Sequence, residues 1–186
     1  MKVWRQRPAH PLDDAVVGLL RPAPSGGGWR ITTSAPKVAD RAGALLRDAG
    51  VSVDVVIDGP SSTRQLVVLD GPGGRPAPQI EVYFRLAEEP DLGVFKYQTG
   101  SWSMVQDLVR DQTVEALEGI DGPALASLKI EEVSFVAKNG PRAGQTITYK
   151  KPVLTVVRPW SATVCAEERR LALKTPLVST EVSQGS

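Results

Sequence analysis

The sequence predicts an α+β fold, with antiparallel sheets and helices packed on one side. Runs of alternating apolar and polar residues are separated by turns rich in glycine and proline, a pattern typical of β-strands and hairpins. Two segments with apolar residues at helical spacing interrupt these runs. Hairpin-like connections and few crossovers favour antiparallel over parallel pairing.

The order of the elements suggests a duplicated β-α-β-β unit. Residues 29–34 (WRITTS) and 95–100 (FKYQTG) match type for type: aromatic, basic, apolar, polar, threonine, small. A helical segment follows each, and then two β-rich runs joined through a Gly-Pro turn. The pseudo-repeats would span residues 29–70 and 94–158. The alternative is two unrelated strand–helix junctions with the same local requirements.

The first unit predicts a strand over 29–33, a helix with Ser34 as its N-cap, and Gly50 as the glycine that ends the helix. A strand at 51–57 follows, and 63–69 returns as its partner strand. In the second unit, Ser103 and Gln106 form a capping box at the start of a helix that Gly119 ends. Its strands are predicted at 80–86, 94–99, 129–137 and 146–157, with a connector at 120–128.

These elements give one α+β domain over residues 29–158. Residues 1–28 are predicted to be an N-terminal lead-in, in which Asp13 to Leu20 forms a short helical turn or strand. A loop rich in proline and glycine occupies Asp70 to Pro78. Residues 159–186 are predicted to be a C-terminal tail, partly disordered.

Composition limits the function classes. The chain has 186 residues and a formal net charge of +1, which argues against binding nucleic acid through a uniformly basic surface. Its one cysteine, Cys165, excludes a disulfide framework and favours a reducing cytoplasm. No apolar run approaches the ~20 residues that span a bilayer, and the N-terminus lacks the apolar core of a signal peptide. We therefore expect a cytoplasmic protein without membrane contact.

Catalytic chemistry is scarce. His10, the only histidine, lies in a segment flanked by prolines and without metal-ligand spacing, and is expected to be exposed. Cys165 has no histidine at motif spacing and is expected to be a buried or incidental thiol. Gly71-Pro72-Gly73-Gly74 lacks the Lys-Ser/Thr of a phosphate-binding loop. The sequence therefore predicts no enzyme, no cofactor and no metal.

Charge distribution points to an interaction surface. The second helix is acidic, whereas the hairpin that follows is basic. Lys138 and Arg142 bracket the hairpin turn, and Lys150 and Lys151 lie in the returning strand, where they could contact DNA phosphates or an acidic protein. Alternatively, these are edge-strand cations that prevent aggregation. Trp102 is either a hydrophobic staple before an N-cap or an exposed anchor for a partner.

Several sequence segments resemble the recombination directionality factor-like family of actinobacterial temperate phages and prophages. They are residues 84–86 (FRL), 89–95 (EPDLGVF), 99–103 (TGSWS), 121–126 (DGPALA) and 148–154 (TYKKPVL), with support from 53–60 (VDVVIDGP) and from Trp29-Arg30. The resemblance extends, in order, over roughly residues 12–158.

This resemblance implies a protein without catalytic residues that binds a large serine integrase. Binding would switch the integrase from integration (attP × attB) to excision (attL × attR) in a bacterial host cell. Larger members carry an insertion with cysteines that could hold zinc. This chain has only Asp70 to Pro78 at that place and no cysteine there, so the resemblance implies no metal site in it. The alternative function is a DNA-binding accessory protein that acts without integrase. It would bind single-stranded or duplex DNA, with stacking by Trp29, Phe95 or Tyr97 if these are exposed.

Overall fold

A computed structural model of the chain describes residues 2–4, 7–24, 27–68 and 76–161. Within these ranges the fold is α+β, as predicted, with one nine-stranded, mostly antiparallel sheet and three α-helices. The strands are β1 (Lys2–Trp4), β2 (Val16–Pro22), β3 (Trp29–Thr32), β4 (Ser52–Ile57), β5 (Thr63–Val68), β6 (Ala77–Leu86), β7 (Val94–Thr99), β8 (Ala124–Val136) and β9 (Thr146–Pro159). The helices are α1 (Pro36–Ala49), α2 (Trp102–Arg110) and α3 (Thr113–Glu118).

The main path through the sheet runs β3-β2-β7-β6-β4-β8-β9. Strand β6 changes partner along its length: residues 77–82 pair with β5, whereas Arg85 and Leu86 pair with β4. Strand β1 pairs with the outer side of β5. The pairs β1–β5 and β2–β7 are parallel, and the other pairs are antiparallel.

The main hydrophobic core lies between the sheet and the helices, and a smaller cluster of Val56, Ala87 and Leu125 is separate from it. Helix α1 contributes Ala42 and Leu46, and α2 contributes Met104 and Leu108. The aromatic side chains Trp29, Phe95 and Tyr97 are also buried there. The Trp29 ring meets that of Tyr97 edge-on, 5.5 Å between centroids, and its indole N–H donates to the Val51 carbonyl over 3.1 Å.

The N-terminal segment belongs to the sheet, in contrast to the predicted lead-in over residues 1–28. Strand β2 lies between β3 and β7, and β1 extends the sheet beyond β5. The predicted alternatives for residues 13–20 both occur, since Asp13–Ala15 forms a 3-10 turn and β2 begins at Val16. Of the predicted tail, residues 162–186 lie outside the described part of the chain, and Cys165 with them.

The element order β-α-β-β occurs twice, but the pairing does not repeat. Strands β8 and β9 form a continuous antiparallel hairpin. Strand β5, predicted as the partner of β4, pairs instead with β6 and β1. The duplication therefore stays a prediction.

Both predicted N-caps were wrong by one or two residues. Helix α1 begins after Ala35, and the Ser34 side chain does not cap it. Helix α2 begins after Ser101, whose hydroxyl accepts from the Met104 amide at 3.4 Å, so the capping box of Ser103 and Gln106 does not form. Gly50 ends α1 as predicted, with φ 63°, a left-handed conformation that glycine adopts without a Cβ clash.

Two further boundaries differ from the prediction. Gln112, with φ 49°, divides the predicted second helix into α2 and α3. Strand β8 begins at Ala124, so most of the predicted connector is strand: its apolar residues pair with β4 and fill the core. None of the helices in the described ranges is long and apolar enough to cross a membrane.

Candidate interaction site

The β8–β9 hairpin projects beyond the sheet as a two-stranded ribbon, defined here as residues 131–151. Strand β4 pairs with β8 only as far as Lys129, and one further backbone bond joins the Ile130 amide to the Val51 carbonyl at 2.9 Å. Beyond that point, 131–136 pair with 146–151 and with no other strand of the described chain. Six residue pairs at about 3.3 Å each extend the ribbon by about 20 Å.

The tip of the ribbon is basic. The Ala137 amide donates to the Gln145 carbonyl at 3.0 Å, and the Gly144 amide donates to the Ala137 carbonyl at 2.7 Å, which closes the turn. Lys138 and Arg142 are both exposed on this turn, as the sequence predicted for a hairpin centred there. Their charges are thus available to a partner at the end of the ribbon.

One face of the ribbon is apolar. The register places Val133 opposite Tyr149 and Phe135 opposite Ile147, all on the same face. Phe135 is 48% exposed and Tyr149 40% exposed, and their rings meet edge-on with centroids 6.2 Å apart. Exposed apolar side chains that cluster in this way are typical of a protein-binding surface.

Lys151 has a different environment from the other three cations of the hairpin. Its ammonium group lies 2.6 Å from the Asp107 carboxylate of α2, and the two side chains are only 15% and 7% exposed. Asp107 also pairs with Arg110 at 3.0 Å. The acidic helix and the basic hairpin predicted from the sequence therefore meet at the base of the ribbon, where Lys151 joins β9 to α2.

Trp102, the first residue of α2, is 53% exposed. A staple residue lies before the N-cap, whereas Trp102 follows the N-cap Ser101, so the predicted staple does not form. The role of Trp102 as an anchor for a partner stays a prediction. Ser101, directly before it, lines a groove of about 880 Å³ together with Lys150 and Pro152. The structure thus brings the start of α2 and the base of the ribbon to one groove.

The remaining cations of this groove come from three neighbouring strands at the other end of the sheet path, β3, β2 and β7. Arg21 of β2, Arg30 of β3 and Lys96 of β7 line it, and no acidic residue is among its lining residues in the described chain. Arg21 and Arg30 were not predicted as site residues, because their convergence depends on the pairing of β2 with β3 and β7.

A buried cluster of charges shares Lys96 of β7 with this groove and otherwise lies on β5, β6 and the N-terminal segment. The fully buried carboxylate of Glu81 forms ion pairs with Arg7, Arg64 and Lys96, the last at 2.9 Å. Asp13 joins the cluster, with Arg7 at 2.7 Å and Lys96 at 3.1 Å. The only sequence signal was the alternation of Gln79, Glu81 and Tyr83 in β6, which places three polar side chains on one face.

The cluster holds both carboxylates in the ionised form. Burial by itself raises the pKa of Glu81, but hydrogen bonds from Arg7, Lys96 and Arg64 outweigh it and lower that pKa to about 2. For Asp13, hydrogen bonds from Arg7 and the His10 amide likewise outweigh burial, and they hold its pKa well below the usual range. Burial, followed by donation of its hydroxyl to Asp13 at 2.8 Å, raises the pKa of Tyr83.

His10 is part of this packing, although the sequence predicted an exposed side chain. Its ring stacks on Tyr83 with centroids 4.1 Å apart. Nδ1 accepts from the Leu12 amide at 3.1 Å, and Nε2 then donates to the Ser61 carbonyl at 3.0 Å. Both ring nitrogens are engaged, so His10 fixes the N-terminal segment on the sheet.

No group of three or more histidine, cysteine, aspartate or glutamate side chains in the described ranges is arranged to hold a metal ion. No protein-family model matches this chain, and no solved structure matches it.

Proposed function

We propose that this protein is a non-enzymatic recombination directionality factor that binds a large serine integrase and switches it from integration to excision. Two things support the proposal: the resemblance of residues 12–158 to that family, and the projecting ribbon with its exposed apolar face. Phe135 and Tyr149 are aromatic, exposed and adjacent, as expected of the residues that dominate a protein–protein contact. The single observation that supports a contact at the ribbon is this exposed aromatic pair.

The mechanism we propose is a population shift of the integrase. A protein factor can favour attL × attR synapsis only if it binds the excision-competent conformation more tightly than the other conformation. The apolar face of the ribbon would supply the affinity, while Lys138 and Arg142 at the tip would meet acidic groups of the integrase. Lys150 and Trp102, at the base of the ribbon, would extend the contact. The factor itself would act in the cytoplasm of the bacterial host.

The test is in vitro recombination with the serine integrase encoded nearest this gene, scored for attL × attR and attP × attB with and without the protein. We expect gain of excision and loss of integration. A folded protein that changes neither reaction of an active integrase would contradict the proposal.

The ribbon is tested by replacing Phe135 and Tyr149 together with serine. Loss of two aromatic anchors should weaken integrase binding by at least about 2 kcal/mol, roughly 30-fold. Val109→Ser is the matched control, because Val109 is an exposed apolar residue of α2 outside the ribbon. Equal binding by the serine double variant and the wild type would remove the ribbon from the contact.

The alternative, a DNA-binding accessory protein that acts without integrase, needs a different set of residues from those first considered. Trp29, Phe95 and Tyr97 are buried and cannot stack on bases. The observation that favours this alternative is the basic groove beside Trp102.

A further inference from the structure

Two arginines stand directly opposite each other at one wall of the groove. The antiparallel register of β2 and β3 pairs Arg21 with Arg30. Residues paired in this way have Cβ atoms about 4.5–5.5 Å apart, and like charges placed so are destabilising. Both side chains are exposed, and neither forms an ion pair with another described residue. Within the described part of the chain, the fold therefore holds two positive charges together without a counterion.

The rest of the groove does not supply that counterion. No acidic residue is among its described lining residues, and Lys96, itself a cation, already pairs with Asp13 and Glu81. The neutral polar residues Gln79, Gln98 and Ser101 complete the lining and can hydrogen-bond to sugar or phosphate oxygens. A paired set of guanidinium groups is the arrangement that best matches phosphate oxygens, because each presents a planar fork of donors.

We propose that this groove binds the phosphodiester backbone of a single nucleic-acid strand, with Arg21 and Arg30 on successive phosphates. A volume of about 880 Å³ is the size of a small-ligand site, so one strand can lie in it whereas a duplex would reach only the rim. Trp102, exposed and adjacent to Ser101, provides a stacking surface for a base beside the groove. A cationic groove combined with an aromatic platform is the usual design of single-strand binding sites. The inference goes beyond the integrase contact and does not depend on it.

The experiment measures fluorescence anisotropy of a labelled 12-nucleotide oligothymidylate with the full chain, at several salt concentrations. The variant is R21Q/R30Q, and the matched control is K37Q/R47Q, which removes the same two charges from exposed positions on α1. We expect the groove variant to bind at least about tenfold more weakly than the control. Its slope of log K against log salt should fall by about 1.4, since each single-strand phosphate contact contributes about 0.7.

Stability provides an independent readout. Because the two arginines repel each other, R21Q/R30Q should melt no lower than the wild type. R21K/R30K keeps both charges but loses the planar forks, and its affinity should lie between those of the wild type and R21Q/R30Q. A wild type that does not bind oligothymidylate at low salt, or equal losses in R21Q/R30Q and K37Q/R47Q, would overturn the proposal.

Three further measurements distinguish a single nucleic-acid strand from a duplex and from phosphate alone. A 12-base-pair duplex should bind more weakly than the single strand, and equal binding with the same dependence on the arginines would overturn the single-strand assignment. Pyrophosphate should compete for the groove. Trp102→Ala should weaken oligothymidylate binding at least about fivefold and leave pyrophosphate competition unchanged, because stacking acts on bases alone.

Discussion

Glu81 is the residue whose environment departs most from its ordinary preference for water. Its carboxylate is fully buried, and three cations and the Gln79 amide surround it. Burial of a lone carboxylate is very unfavourable, and only pairing with good geometry offsets it. The cluster is also where the N-terminal segment is attached, because Arg7 and Asp13 both belong to it.

Replacing Glu81 with glutamine should therefore destabilise the protein strongly. The change leaves Arg7, Arg64 and Lys96 close together without their shared anion, and loss of one partner from a buried ion pair costs about 3–5 kcal/mol. Urea unfolding at neutral pH measures the difference. Glu89→Gln is the control, since Glu89 pairs with an exposed Arg41 and its loss should cost less than about 1 kcal/mol. Similar losses in the two variants would be evidence against the role given to the cluster.

The ribbon has little support from the rest of the sheet. A two-stranded hairpin is marginally stable by itself, and residues 131–136 of β8 have no sheet neighbour other than β9 in the described chain. The Lys151–Asp107 pair fixes its base to α2. Lys151 thus differs in kind from Lys138 and Arg142, which lie exposed at the tip. A variant that replaces all four hairpin cations would combine a loss of stability with a loss of charge.

Lys151→Met should lower the free energy of unfolding by about 2 kcal/mol, because among the described residues it leaves a nearly buried Asp107 with Arg110 as its one remaining charged partner. Lys138→Met, at an exposed position of the same hairpin, should change it by less than about 0.5 kcal/mol. Denaturant unfolding of the two variants gives the comparison. If Lys138→Met were as destabilising as Lys151→Met, the ion pair between Lys151 and Asp107 would have no special role in fixing the ribbon to α2.

On the scale of the whole molecule, two largely buried ionic contacts connect parts that are distant in the chain. The Glu81 cluster joins the N-terminal segment, β5, β6 and β7, while Lys151 and Asp107 join β9 to α2. In the Glu81 cluster, hydrogen bonds from the surrounding cations lower the pKa of both Glu81 and Asp13, so these two carboxylates are ionised at neutral pH. Acid should therefore weaken this part of the fold by protonating the two groups in the unfolded chain first.

The free energy of unfolding should decrease as the pH falls from about 4.5 to about 2. Over that range an unfolded Glu81 binds a proton, whereas the folded carboxyl, with its pKa near 2, does not, so acid favours the unfolded chain. The contribution of Glu81 is complete above pH 4.5 and amounts to about 3 kcal/mol. Urea unfolding at about pH 7, 4.5 and 3 measures it. Glu81→Gln should show a shallower dependence over this window, and identical slopes would contradict the assignment.

The amino-acid sequence by itself determined the fold class and most of the elements. Alternation in 94–99 predicted β7 at its observed limits, and Gly50 ended α1 where expected, because both signals act between neighbours in the chain. The hairpin turn between Lys138 and Arg142 was predicted for the same reason. Caps were placed less well. Ser101 and Ser103 compete for one position at the start of α2, and α1 begins after Ala35 without any side-chain cap.

Tertiary structure alone decided which strands pair and which charges meet. Strand β5 pairs with β6 and not with β4, and β2 lies beside β7. Residues 7, 13, 64 and 96 therefore converge around the carboxylate of Glu81. Arg21 faces Arg30 for the same reason. Alternation assigns a residue to one face of its strand but carries no information about the neighbouring strand. Partner choice is settled by how the whole set of apolar faces fits into one core, and the groove and the ion cluster are consequences of that fit.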